Sequence, residues 1–311
     1  MSADNSGAGD SMMMCCCASC GVAEAGDVKL KNCTACYLVK YCSIKCQKDH
    51  RPKHKRACKN RAAELHDEIL FKQPESTHLG DCPICCIPLP LDLGKSSMMS
   101  CCSKVICKGC SHANQKREFE ERRDQKCPFC REPTPATSEG CDKQMMKRIE
   151  MNDPVAIFQG GGEQYIKGNY RSAFEYFTRA AELGYADAHY RLSTLYEDGE
   201  GVEKDKGKEM HHLEVATIGG HPRARNNLAC HEWRNGNKER AVKHFIIAAA
   251  QGHDGSIKAL MDVFREEDGM VSKEELTAVL RAHQVAVDAT KSPQRKAAEE
   301  YRRNRTSVVD N

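Results

Sequence analysis

Eighteen cysteines stand between Cys15 and Cys130 of this 311-residue chain, and only Cys141 and Cys230 lie outside that stretch. Such a density means disulfides or metal, and the compartment decides between them. The opening residues MSADNSGAGDS carry no basic segment ahead of an apolar one, and the apolar run from Met12 to Ala18 is too short for a secretory signal. No stretch approaches the ~20 apolar residues needed to cross a bilayer. The expectation is an intracellular protein, cytoplasmic or nuclear, whose thiols are mostly zinc ligands. Its formal charge of +3, from 47 basic against 44 acidic residues, is too slight to favour nucleic acid or an anionic membrane as partner.

The chain is long enough for two or three small domains. Residues 1–14 are small and polar without periodicity and are expected to form a disordered tail. Residues 15–60 hold a first Cys/His cluster. Within a linker at 61–78, Leu65, Ile69 and Leu70 recur at helical spacing before Pro74, which predicts a short connecting helix over Arg61 to Gln73. A second cluster occupies 79–134, and the Pro/Ser/Thr-rich REPTPATSEG opens a linker at 135–152. Residues 153–303 turn to Ala, Leu and charged residues punctuated by Gly, and 304–311 form a tail.

The helical half repeats internally. Aligned on their glycines, three segments place Phe174, Met210 and Val242 in one column, Phe177, Leu213 and Phe245 in the next, then Ala180, Ala216 and Ala248, then Gly184, Gly220 and Gly252. A degenerate fourth copy carries Leu276, Val279, Ala282 and Ala286. The 3, 3, 4 spacing puts each set on one helix face, and partner helices such as Ala186 to Asp198 lie between them. The loop Asp198-Gly-Glu-Gly-Val202 followed by Asp205 resembles the signature of Sel-one-like repeats, relatives of the tetratricopeptide family. That resemblance implies a solenoid of helix pairs that binds partners on its polar concave surface. The apolar columns, and Trp233, are read as core.

In the first cluster the order is Cys17-x2-Cys20, Cys33-x2-Cys36, Cys42-x3-Cys46 and His54-x3-Cys58, eight ligands for two tetrahedral ions. The arrangement, with Tyr41 before Cys42 and Gln47 after Cys46, resembles a MYND zinc finger. The resemblance implies interleaved pairing: Cys17, Cys20, Cys42 and Cys46 on one ion, and Cys33, Cys36, His54 and Cys58 on the other. Cys15 and Cys16 could compete with Cys17. It also implies a module that takes short proline-containing peptides, although His50 stands where many members carry an aromatic residue. The run Arg51-Pro-Lys-His-Lys-Arg56 is read as the solvated side of a ligand-bearing helix rather than an import or nucleic-acid patch.

The second cluster offers Cys82-x2-Cys85, Cys101-Cys102, Cys107-x2-Cys110 and Cys127-x2-Cys130, and resembles an all-cysteine RING finger. Lys104 stands where the usual pattern has a histidine ligand, so the adjacent Cys101 and Cys102 are expected to take both places, with His112 or Cys86 as substitutes. By resemblance, Cys82, Cys85, Cys107 and Cys110 form one site and Cys101, Cys102, Cys127 and Cys130 the other. Four Zn²⁺ are therefore expected. Fifteen ligand thiolates and four such ions would turn the formal charge of +3 into about −4.

The expected fold is multi-domain: two small zinc-stabilised α+β fingers followed by an all-α repeat solenoid. Ile84, Pro128 and Arg131 match the RING docking surface for a ubiquitin-conjugating enzyme, with Arg131 resembling the basic linchpin. A RING ligase has no catalytic side chain; it orients a ubiquitin-charged enzyme. Phe119 is the only aromatic residue offered where many ligases carry a Trp, so a non-enzymatic adaptor that binds proteins through its fingers and repeats stands as the alternative. A MYND-associated lysine methyltransferase is set aside because no SET motif is present. Cys86, Cys141 and Cys230 lack the His/acid setting of a nucleophile.

Overall fold

The computed structural model describes residues 16–266 and 269–309. The expected tail at 1–14 and Cys15 lie outside them. The chain divides into two compact units, Met1–Lys72 and Gln73–Asn311.

In the first unit, β1 (Lys31–Asn32) and β2 (Lys40–Tyr41) pair antiparallel, with Lys31 opposite Tyr41. The helix α1 (Ile44–Leu70) follows, its N-terminus capped where the Cys46 N–H donates to Ser43 Oγ at 3.2 Å. A separate connecting helix from Arg61 does not form. One 27-residue helix carries both the His54/Cys58 ligand pair and the expected linker, because no Gly or Pro interrupts the chain between Pro52 and Pro74. Arg61 bridges Glu64 and Glu68 at 3.0 and 2.9 Å along its exposed side. The core of this unit is Cys17, Cys33, Cys36, Val39 and Tyr41. A core built chiefly of sulfur cannot stabilise so small a unit through apolar burial alone.

The second unit begins with the second finger. A 3-10 turn at Leu93–Lys95 leads into β3 (Ser96–Met98), which pairs antiparallel with β4 (Val105–Cys107), Ser97 opposite Ile106. The helix α2 (Lys108–Glu120) follows directly, and Cys82, Leu89, Ile106 and Cys107 make its small core.

Ten more helices follow: α3 (Ser138–Glu150), α4 (Pro154–Ile166), α5 (Tyr170–Glu182), α6 (Ala186–Asp198), α7 (Lys206–Ile218), α8 (Pro222–Arg234), α9 (Lys238–Ala250), α10 (Asp254–Glu266), α11 (Lys273–Ala289) and α12 (Pro293–Val309). The pairs α4/α5, α6/α7 and α8/α9 pack most extensively, and successive pairs stack as a solenoid. The aligned columns are its interior. Phe177, Leu213 and Phe245 are buried, and Ala180, Ala216 and Ala248 are fully so, which lets neighbouring helices approach. Gly184, Gly220 and Gly252 all take φ near +80°, ending one helix and turning the chain into the next. In the degenerate copy Val279 is buried and Leu276 packs beside it.

Two stretches behave differently from their composition. Residues read as part of a linker form α3, whose Met145 and Ile149 share a face and join the core of α4–α6 behind the Thr137 cap. The last helix, α12, runs through residue 304 to Val309 and packs against α2 of the second finger.

Candidate metal centres

Four of the five Cys-x2-Cys segments fold into the same turn; in the fifth, Cys107 caps the helix α2 that carries Cys110. In the four turns, the N–H of the residue after the second cysteine donates to the carbonyl of the first: Gly21 to Cys17, Tyr37 to Cys33, Cys86 to Cys82 and Arg131 to Cys127, at 2.8, 2.9, 2.8 and 3.0 Å. That residue is left-handed in every case, with φ of +74° at Gly21, +57° at Tyr37, +53° at Cys86 and +66° at Arg131. The three non-glycine residues pay about 1 kcal/mol each for this conformation. An antiparallel contact then closes each turn, as in Asp81 opposite Pro88 and Lys126 opposite Pro133. The turn aims two sulfurs and the intervening N–H groups at one point.

These turns and the helices bring the sixteen expected side chains into four groups, each with its ligand atoms within 4.8 Å of one another: Cys17, Cys20, Cys42 and Cys46; Cys33, Cys36, His54 and Cys58; Cys82, Cys85, Cys107 and Cys110; Cys101, Cys102, Cys127 and Cys130. A tetrahedron with Zn–S bonds of about 2.3 Å has edges of about 3.8 Å. The sulfurs of Cys42 and Cys46 are 3.6 Å apart, those of Cys33 and Cys58 3.8 Å, those of Cys85 and Cys107 3.9 Å, and those of Cys102 and Cys127 3.9 Å. His54 presents Nε2 to Cys36 Sγ at 3.2 Å. None of the described cysteines is in a disulfide.

Electrostatics makes the same demand. Burial pushes Cys17 up, but N–H groups of Cys20, Cys42 and Ser19 outweigh it and bring its thiol down to about 6. Cys42 in the same group is pushed up to about 12 by hydrogen bonding with Cys20 and Cys46. Cys33 falls to about 6 while burial, with Cys36 and Cys33 beside it, lifts Cys58 to about 11. In the third group Cys82 falls to about 7 while burial raises Cys110. In the fourth, burial pushes Cys130 up but the Glu132 N–H and the neighbouring thiols outweigh it and lower it, while burial raises Cys101. In each group one thiol is lowered while at least one beside it is raised, an opposition that a bound dication relieves. The donor sets, four sulfurs in three groups and three sulfurs with one imidazole nitrogen in the other, stand at tetrahedral spacing and suit zinc.

The joining of Cys101 and Cys102 in one group has a structural origin that spacing did not disclose. Met99 to Lys104 makes the same turn as the cysteine pairs: Ser103 N–H donates to Met99 O at 2.7 Å, Met99 N–H to Lys104 O at 3.0 Å, and Ser103 has φ +55°. Cys102 thus holds the second ligand position of a fifth turn whose first position is Met99, and Cys101 supplies the missing sulfur, 3.4 Å from Cys130. His112 and Cys86 are placed elsewhere. The His112 ring packs on Tyr301, and Cys86 is exposed in its left-handed turn.

On the surface of the second finger, Ile84 is 40% exposed and Phe129 42%; Pro128 is half-buried and Arg131 exposed. Phe119 projects from α2, 82% exposed. In the first finger, the Tyr41 hydroxyl and His50 Nδ1 share a hydrogen bond at 3.0 Å and the His50 ring stacks on His54. His50 therefore braces a ligand of the second group.

A further cluster had no sequence signal, because its members lie 109 and 34 residues apart. His78 Nε2 and His221 Nε2 approach Asp187 Oδ1 at 3.2 and 3.5 Å. Burial alone would raise the Asp187 carboxyl, yet the two imidazoles hold it well below the usual carboxylate range. This is a hydrogen-bonded clasp on a carboxylate and not a metal site. The rings stack at 4.1 Å, so their in-plane lone pairs run side by side, and the Ala224 N–H donates to His221 Nδ1, leaving the proton on Nε2.

Comparison with known proteins bears on this geometry. The MYND finger family model matches residues 17–58, and the Sel1 repeat model matches 155–185, 186–214 and 222–253. The chain carries a MYND finger and Sel1 repeats. Each matched repeat begins at α4, α6 or α8 and takes in that helix and all or most of its partner. Both modules serve in general to bind other proteins. A crystal structure of a Sel1 repeat protein from Oxalobacter formigenes is 24% identical with a TM-score of 0.42, the match covering 49% of this chain and 65% of that one. A protective antigen present in uropathogenic Escherichia coli strains, which displays an SLR fold, is 28% identical with a TM-score of 0.39, over 48% of this chain and 33% of that one. This chain thus spans less than two thirds of either structure. No curated protein matches it. Among the described residues, no helix is long and apolar enough to cross a membrane.

Proposed function

We propose that this is a protein-interaction protein loaded with four zinc ions, one in each of the four groups, whose second finger is of the RING type and orients a ubiquitin-charged conjugating enzyme. The MYND finger and the Sel1 repeats then recruit partners or substrates. The observation that carries this reading is the interleaving in the second finger. The first and third ligand pairs form one group and the second and fourth the other, an interleaving that ties the turns bearing Ile84 and Pro128–Arg131 into one finger. Ile84 and Phe129 are apolar and exposed beside the ligands, an arrangement that suits an apolar loop of a partner, and the Arg131 guanidinium suits bidentate contact across two bound proteins.

The test is self-ubiquitination by the full chain with a panel of conjugating enzymes. Ile84→Ala and Arg131→Ala are each expected to slow it about tenfold or more, as loss of an orienting contact should. Activity unchanged in both variants, or absent with every enzyme of the panel, refutes the ligase reading. One observation favours the adaptor alternative: α2 offers only the solvent-projecting Phe119 to complete a docking groove. An adaptor would capture proline-containing peptides through residues 17–58 without supporting ubiquitin transfer.

A further inference from the structure

The C-terminal helix brings a charge to the third group. Arg295 lies in the first turn of α12, where the helix dipole disfavours a cation, and it is only 8% exposed. Its Nη1 donates to Pro88 O at 2.7 Å and to Thr290 O at 2.6 Å. Its Nη2 donates to Ile87 O at 3.0 Å and to Cys85 Sγ at 3.7 Å. Its partners are thus backbone carbonyls and the sulfurs of the third group, Cys107 as well as Cys85. A buried guanidinium whose acceptors include no carboxylate is costly unless another anion offsets it. Four thiolates around one dication carry a net charge of −2, and Arg295 is the cation against them.

The fit extends along both helices. Gly109, inside Cys107-Lys-Gly-Cys110, would place a Cβ 2.7 Å from Arg295 N and 2.9 Å from its Cα, so only glycine lets α12 come this close. Tyr301 packs on His112 with ring centroids 4.8 Å apart, and Lys95 pairs with Glu299 at 2.9 Å.

We infer that Arg295 is a positioning residue for the ion held by Cys82, Cys85, Cys107 and Cys110, acting as an outer-shell donor to Cys85, so that metal retention in the second finger depends on the C-terminal helix. This rests on the zinc loading proposed above. A guanidinium hydrogen bond stabilises the thiolate against protonation and against transfer to a competing chelator, the usual effect of outer-shell partners.

The experiment measures zinc release from the full chain to a chromophoric chelator, with timed alkylation and peptide mass spectrometry to identify which cysteines are freed. Native mass spectrometry of the unmutated chain comes first; absence of an ion at the third group there refutes the zinc reading itself, before any variant is compared. Given four ions, Arg295→Met is expected to release one of them 10–100-fold faster, with Cys82, Cys85, Cys107 and Cys110 alkylated ahead of all others. Arg295→Lys, which keeps the charge without the fork, should recover part of the difference. Tyr301→Ala loosens the same helix without touching Cys85 and should stay within about threefold of the unmutated rate. The inference is overturned by an Arg295→Met rate equal to the unmutated one. It is equally overturned if Tyr301→Ala matches Arg295→Met, or if Cys101, Cys102, Cys127 and Cys130 are freed at the same accelerated rate, since either result means general collapse of the finger.

Discussion

Single residues in the solenoid carry identifiable loads. Gly201 takes φ +70°, and a Cβ there would lie 2.4 Å from the Tyr170 carbonyl carbon and 2.5 Å from its oxygen, so the loop after α6 passes against the start of α5 only as glycine. Gly201→Ala is expected to cost about 3 kcal/mol or more, strain plus collision, whereas Gly168→Ala, also left-handed but facing open space, should cost about 1 kcal/mol. Urea unfolding followed by Trp233 emission measures both; equal losses would refute the steric argument. Buried histidines make the repeats acid-sensitive. Burial pulls His212 and His253 down to about 4, so both are neutral in the fold. As pH falls below ~6.5 the unfolded chain binds protons that the folded chain refuses, and stability is lost progressively toward pH ~4. Asp187, held below the usual range by His221 and His78, loses its contribution only once pH falls below ~4. The urea midpoint should therefore drop between pH 8 and 5, and the pair His212→Gln with His253→Asn should flatten that slope. A midpoint independent of pH over this range would contradict the assignment.

At the scale of elements, the fingers are assemblies of one turn used repeatedly. Cysteines three apart signal the turn at four of their five occurrences; at Cys107 and Cys110 the same spacing opens the helix α2 instead. The turn was not legible at Met99 to Lys104, where the same hydrogen bonds form around a methionine and only the backbone discloses why Cys101 and Cys102 are neighbours in one group. Cys101→Ser should lower the zinc count of the intact chain from four to three by native mass spectrometry, and Cys86→Ser should leave it at four. The reverse result would move the ligand to Cys86. Helix boundaries depart from composition where capping overrides it. The Pro/Ser/Thr run before residue 140 looks like linker, yet Thr137 caps a helix whose Met145 and Ile149 find the solenoid core. The ligand helix of the first finger continues through the expected linker because nothing in its sequence stops it before residue 70.

Over the whole molecule, two kinds of core coexist. The fingers bury sulfur, and the solenoid buries Phe177, Leu192, Leu195, Leu228 and Leu260 among close-packed alanines. Chelation should therefore unfold the fingers and leave the repeats standing: excess EDTA is expected to free the ligand thiols to alkylation while Trp233 emission and most far-UV helicity persist. Loss of the helical signal together with zinc would mean that the solenoid depends on the metal. Local patterns were enough to establish the ligand types, the turn spacing, the repeat columns and the division into cysteine-rich and helical halves, since each rests on neighbours within a few tens of residues. What they could not contain are the pairings made across distance. Arg295 reaches Cys85 over 210 residues, and His78 reaches Asp187 over 109. A buried charge is readable only through the partner that offsets it, and which partner that is depends on how the helices stack, not on the order in which they are strung.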